Sequence, residues 1–149
     1  MTKFLLAVHV LAAIVAVGPV TVAASMFPPA ARRAMAAPDD PKAVETVQLL
    51  HRICRVYATV GVVVPVFGFA TASAMGVLGD AWLIVSIGLT ALAAVVLAAL
   101  VLPRQGALVE GVGTREATVR LAMFTGVFNL LWAVVTVLMI VRPGSTTGA

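Results

Sequence analysis

The side chains that could do acid–base, nucleophilic or metal chemistry are two histidines, one cysteine and six carboxylic acids in a chain of 149 residues. His51 and Cys54 are three residues apart, so a helix would place both on one face, where they could begin a metal site. No third and fourth ligand follow in the sequence at a spacing typical of zinc. The pair by itself therefore does not predict a metal.

A haem held by two histidines requires both side chains at a comparable depth in the membrane. His9 lies near the start of the first apolar run, and His51 lies just before the second run, at the opposite membrane face. One chain cannot offer both to one haem. A haem-binding electron carrier is therefore the least favoured function, and we expect no cofactor.

Every acid lies outside the long apolar runs, whereas proton-coupled transporters usually carry an acid inside a span. The sequence also has no glycine-rich phosphate loop, nucleophile elbow or metalloprotease motif. We therefore predict that the protein is not an enzyme and has no catalytic residues, and a small multidrug exporter is disfavoured. The six acids are Asp39, Asp40, Glu45, Asp80, Glu110 and Glu116.

Four long apolar runs must position these side chains. The chain is 62% hydrophobic and only 11% charged, whereas a soluble domain is about 25% charged. The runs cover 4–26, 56–78, 81–102 and 121–141, and about 20 apolar residues suffice for a helix to cross a bilayer. The sequence predicts an all-α fold, a single membrane domain (1–149) of four transmembrane helices, followed by a short polar tail at 144–149.

The basic residues predict the orientation. Eight of the ten Lys and Arg residues lie in segments 27–55 and 103–120, and only Lys3 and Arg142 flank the other membrane face. The positive-inside rule then places both segments in the cytoplasm and both termini outside, in a bacterial inner membrane. Topology thus explains the basic composition, and we expect the lipid bilayer as partner and no nucleic acid. An alternative explanation for the charge of segment 27–55 is that it binds anionic lipid headgroups.

One polar layer is predicted inside the membrane. His9 and three hydroxyl residues lie about equally far from the outer ends of their helices, so we expect a hydrogen-bonded layer at one depth. Its alternatives are simple helix packing or a site for a ligand or proton. The layer consists of His9, Ser73, Ser86 and Thr136.

Small residues predict which helix faces meet, because helices in lipid associate through close packing and interhelical hydrogen bonds. We expect Gly68, Ala72 and Gly76 on the second helix and Asn129 on the fourth to make helix–helix contacts in a left-handed bundle. The interior stripe predicted on the third helix is Ser86, Thr90, Ala94 and Ala98.

The opening Phe4-Leu5-Leu6-Ala7-Val8-His9-Val10-Leu11-Ala12-Ala13, running into Val17-Gly18-Pro19, resembles the first helix of a family of small actinobacterial four-helix membrane proteins. Four spans and a basic first loop are similar over nearly the whole length. The family's function is uncharacterised, so the resemblance implies the fold and no catalytic residues.

These observations favour a non-catalytic accessory or scaffold subunit of a larger inner-membrane complex, in respiration or lipid transport, with other membrane subunits as partners. The competing hypothesis is an autonomous small transporter or ligand binder that uses the layer around His9.

Overall fold

The computed structural model describes residues 1–144, and all regular secondary structure in this part of the chain is helical, which confirms the predicted all-α fold. Of the polar tail predicted at 144–149, all but Gly144 lies outside the described residues. The helices are α1 (Thr2–Ala36), α2 (Pro41–Val60), α3 (Val63–Met75), α4 (Ala81–Val95), a π-helical segment (Val96–Val101), α5 (Leu102–Val109) and α6 (Arg115–Val141).

These elements form four rods, each long and apolar enough to cross a membrane, so the protein is a multi-pass membrane protein of four candidate spans. The rods contain 35, 35, 29 and 27 residues, whereas about 20 are enough to span the hydrocarbon. Most of the extra length belongs to segments 27–55 and 103–120. The end of the bundle built from these two segments is called the basic end below.

Polar caps begin two of the helices at the basic end. The side chain of Asp40 accepts a hydrogen bond from Lys42 N (3.0 Å), and Pro41 occupies the first turn of α2, where its missing N–H costs nothing. The Thr114 hydroxyl accepts from Ala117 N (3.3 Å) at the start of α6. These caps fix where the two long rods begin.

Proline interrupts the second and third rods. Pro65 has no N–H for the carbonyl of Gly61, and the helix breaks at Gly61 and Val62, where Val64 N bonds Gly61 O instead (3.1 Å). Pro103 lies two residues after the π-helical segment, in the first turn of α5, and its ring nitrogen cannot donate the hydrogen bond that would continue the helix.

The larger apolar core lies toward the basic end. The rod α1 packs against α2, α3 and α6, while α6 packs against α4 and the π-helical segment, and α2 packs against α5. Fully buried members of this core include Phe27, Val101 and Leu121. A smaller cluster of Ala72, Val77, Trp82 and Leu83 closes the other end.

Candidate functional site

His9 joins α1 to α3. Its Nδ1 donates to the backbone oxygen of Val64 at 2.9 Å, and the ring lies directly over Gly68. A side chain at Gly68 would collide with this ring, because a Cβ atom there would lie 2.8 Å from His9 Cε1. His9 therefore lies level with Val64 and Gly68 rather than with Ser73.

The residues predicted to form a hydrogen-bonded layer, His9, Ser73, Ser86 and Thr136, do not bond one another. Ser86 is buried but donates to Trp82 O (2.7 Å) in its own helix, and the exposed Thr136 donates to Trp132 O (3.0 Å) in the same way. Ser73 is exposed. Each of these two hydroxyls bonds the carbonyl one turn back, and this local bond removes its need for a distant partner.

The small residues predicted to make helix contacts have different roles. Gly68 contacts His9, and Ala72 is buried in the small cluster with Trp82. Gly76 instead ends α3 in a left-handed conformation (φ 71°), with open space around its α-carbon. It is a helix terminator, because only glycine adopts this φ without strain.

Asn129 lies in a groove between α1 and α6, called the α1–α6 groove. Its Nδ2 donates to Ser25 Oγ at 3.1 Å, and Ser25 in turn donates to Thr21 O at 2.6 Å. The groove encloses about 300 Å³. It is lined mainly by small and polar residues: Ser25, Pro28, Pro29, Arg32, Ala122, Thr125, Gly126 and Asn129.

Two polar atoms in this groove have no hydrogen-bond partner within residues 1–144, namely Thr125 Oγ1 and Asn129 Oδ1. Thr125 is only 3% exposed. Asn129 lies nine residues from Arg120, which corresponds to a depth of about 13 Å at about 1.5 Å per residue. Lipid chains at that depth offer no hydrogen-bonding group, so both atoms stay unpaired unless another polar group reaches them.

Sequence reasoning found Asn129 but missed Ser25 and Thr21, which lie more than 100 residues away in the chain. A usable signal was the spacing of Ala122 and Gly126, which matches the small-xxx-small pattern of helix-packing faces.

A second cavity, of about 570 Å³, lies at the basic end between α2, the π-helical segment and α5 and is called the α2–α5 cavity. Arg52 and Arg55 line it, and both are exposed. Its other lining residues are Gln48, His51, Val56, Ala58, Thr59, Ala98, Leu102 and Val109.

A buried polar chain stands behind this cavity. Gln105, fully buried, accepts from His51 Nδ1 through Oε1 (3.0 Å) and donates to Cys54 Sγ through Nε2 (3.6 Å). The edge of the Phe27 ring packs against the His51 imidazole, with centroids 6.4 Å apart. His51 and Cys54 are thus held by an amide. Within residues 1–144, no three His, Cys, Asp or Glu side chains are grouped as metal ligands.

The arginines near the membrane surface bond carbonyls and aromatic rings. Arg104 donates to Leu100 O (3.0 Å), and its guanidinium lies 4.5 Å from the centre of the Phe124 ring. At the other end, Arg142 lies 5.6 Å from the Trp82 ring. Each contact lets the cation pack against apolar surface while its charge stays near the interface.

The comparisons with known proteins leave the geometry as the main guide to function. No family model, curated protein or solved structure matches this chain. The resemblance to small actinobacterial membrane proteins therefore stays a prediction.

Proposed function

We propose that this chain is a non-catalytic accessory or scaffold subunit of a larger inner-membrane complex, and that its α1–α6 groove receives a transmembrane helix of a partner subunit. The supporting observation is the pair of unpartnered acceptors, Thr125 Oγ1 and Asn129 Oδ1, within the apolar part of the bundle. Respiratory and lipid-transport complexes are the candidate assemblies.

The shape of the groove suits a helix. Ser25, Ala122 and Gly126 are small and exposed, so the backbone of a neighbouring helix can approach closely. A Cβ atom built on Gly126 would meet no atom within 4 Å, which leaves that surface open. Asn129 Oδ1 is buried in the isolated chain, so the amide has to rotate toward the groove before a hydroxyl or amide donor of a partner helix can reach it. Such a bond contributes about 0.6–2 kcal/mol in a membrane.

The orientation is part of this proposal. Both termini face outside, the basic end faces the cytoplasm, and the four rods cross in a left-handed bundle. The antiparallel rods bring loops 37–40 and 110–114 to the same end, together with eight of the ten Lys and Arg residues. Alkaline phosphatase fused to either terminus should be active, and a fusion at loop 110–114 should not. The reverse pattern would refute the orientation.

Purification of the tagged chain from its native membrane in mild detergent, followed by mass spectrometry, tests the subunit role. We expect a larger membrane complex in stoichiometric amount. The variant Gly126→Leu fills the groove, and it should lose the complex. Gly88→Leu is the matched control, because Gly88 is also an exposed helical glycine with open space around it. It should retain the complex.

Two outcomes would overturn the proposal. Recovery of this chain alone, as a monomer or a homo-oligomer, would remove the subunit role and return attention to His9 as a binding site. Full recovery of the complex by Gly126→Leu would show that the partner binds elsewhere.

A further inference from the structure

The α2–α5 cavity combines two kinds of wall. At its polar end, Gln48, Arg52 and Arg55 project from one face of α2, spaced four and three residues apart. At its apolar end, the wall is formed by Val56 and Leu102 and by other small or apolar side chains of α2 and the π-helical segment. The cavity therefore matches a ligand with an anionic head and an apolar body.

The lining of the cavity carries positive charge only. No acid is among its lining residues, which are Gln48, His51, Arg52, Arg55, Val56, Ala58, Thr59, Ala98, Leu102 and Val109. Arginine presents a planar fork of N–H donors that fits phosphate oxygens with two parallel hydrogen bonds. Two such forks at one site favour a headgroup with a net negative charge over a zwitterionic or neutral one.

His51 is held in a fixed orientation at the same site. Its Nδ1 donates to Gln105, so Nε2 is left as a hydrogen-bond acceptor for another partner. Phe27 restrains the ring from the side. Since Gln105 is fully buried and also bonded to Cys54, the imidazole is positioned before any ligand arrives.

The depth of the cavity matches the membrane interface. Arg55 immediately precedes the apolar run 56–78, and Leu102 ends the run 81–102. From Gln48 to Thr59 the helix rises about 16 Å, at about 1.5 Å per residue, which covers the headgroup region and the first part of the acyl chains. The helix α2 packs against α5 but has no extended contact with α4, so the cavity is open toward the lipid between α2 and α4.

We propose that the α2–α5 cavity binds one anionic phospholipid from the leaflet at the basic end. Arg52 and Arg55 hold the headgroup phosphate, a headgroup hydroxyl donates to His51 Nε2, and the acyl chains lie against Val56 and Ala98. The volume of about 570 Å³ holds a headgroup and the nearest chain carbons. The π-helical segment fits this role, because π-helical turns are frequent at functional sites. The site does not depend on the partner helix proposed for the α1–α6 groove.

Native mass spectrometry of the full chain in a neutral detergent, titrated with dioleoyl phosphatidylglycerol or dioleoyl phosphatidylcholine, tests the site. We expect one phosphatidylglycerol to bind at least tenfold more tightly than phosphatidylcholine. The double variant Arg52→Gln/Arg55→Gln should lose at least tenfold of that affinity. The matched control Arg115→Gln/Arg120→Gln removes the same charge from exposed positions outside the cavity, and it should lose less than twofold.

A third variant keeps every charge and blocks the apolar wall. Ala98→Trp should also lose phosphatidylglycerol, and protection of the Cys54 thiol from maleimide shows whether each variant is folded. Equal losses in the two arginine variants would overturn the proposal, since they would indicate diffuse surface charge. Displacement of the lipid by millimolar glycerol phosphate, with no effect of Ala98→Trp, would also overturn it and indicate a site for free phosphate.

Discussion

Replacing Gly68 by alanine probes the closest approach between α1 and α3. A Cβ atom on Gly68 would lie 2.8 Å from His9 Cε1 and 3.1 Å from His9 Nδ1. Both distances are shorter than ordinary van der Waals contact, so the imidazole has to move. Moving it lengthens or breaks the 2.9 Å bond to Val64 O.

The expected loss follows from three contributions. A lost hydrogen bond costs about 1 kcal/mol in water-soluble proteins and about 0.6 kcal/mol on average between membrane helices. Crowding a packed contact costs about 1–3 kcal/mol, while alanine is better than glycine inside a helix by about 0.5–1 kcal/mol. We therefore expect the free energy of unfolding of Gly68→Ala to fall by about 1–3 kcal/mol.

The single cysteine provides the assay. Cys54 is fully buried, so the rate of its reaction with maleimide during an SDS titration in mixed micelles measures the unfolded fraction. The control is Gly88→Ala on α4, where the new methyl group meets no atom within 4 Å and stability should not fall.

A double variant separates the His9 contact from a general helix effect. In a His9→Ala background the ring is gone, so Gly68→Ala should no longer destabilise, with a coupling of at least about 0.5 kcal/mol. Wild-type stability of Gly68→Ala, or an unchanged penalty in the His9→Ala background, would refute the reasoning.

Four further predictions concern the helix end, the buried chain and the cofactor. Gly76→Ala should destabilise by about 1 kcal/mol in the same SDS titration, because alanine is strained at φ 71°. Gln105→Leu should lower the free energy of unfolding by about 1–3 kcal/mol, since it leaves His51 Nδ1 without its acceptor. The native protein should react with maleimide only as fast as it opens, because Cys54 is 0% exposed. The purified protein should show no Soret band, because His9 and His51 lie in different halves of the bundle.

The two substitutions have matched controls, and each of the four predictions has a result that contradicts it. Gly79→Ala, three residues from Gly76, has no positive φ and should be neutral; equal effects at both positions would contradict the strain argument. Gln48→Leu changes an exposed glutamine and should leave stability unchanged, so a loss equal to that of Gln105→Leu would contradict the burial argument. Rapid thiol labelling, or a Soret band in stoichiometric amount, would contradict the last two predictions.

The sequence by itself determined the fold class and the number of candidate spans. In hydrocarbon every backbone N–H and C=O needs a hydrogen-bond partner, and a helix provides these partners within one segment. A membrane strand needs only about 10 residues, so four uncharged runs of about 20 residues indicate helices. Composition and run length are local properties. For this reason they can be read without knowing which helices are neighbours.

The sequence did not determine which faces are buried. On the third rod, Ala94 and Ala98 are exposed, whereas Ala93 and Leu97 are buried. Positions spaced strictly by four drift around a helix of about 3.6 residues per turn, so the predicted stripe left the packed face after Thr90. Both faces of a membrane helix are apolar, and hydrophobicity therefore could not correct the error.

Only the tertiary structure decided the polar contacts. His9 bonds a residue 55 positions away, His51 bonds one 54 away and Asn129 bonds one 104 away. Depth along separate helices predicted the wrong partners for His9, because helix lengths differ and their ends are not level. The hydroxyls of Ser86 and Thr136 donate to carbonyls of their own helices. The imidazole and amide side chains instead form their hydrogen bonds with residues of a neighbouring helix. The position of that neighbour depends on how distant helices pack, and a short stretch of sequence does not contain this information.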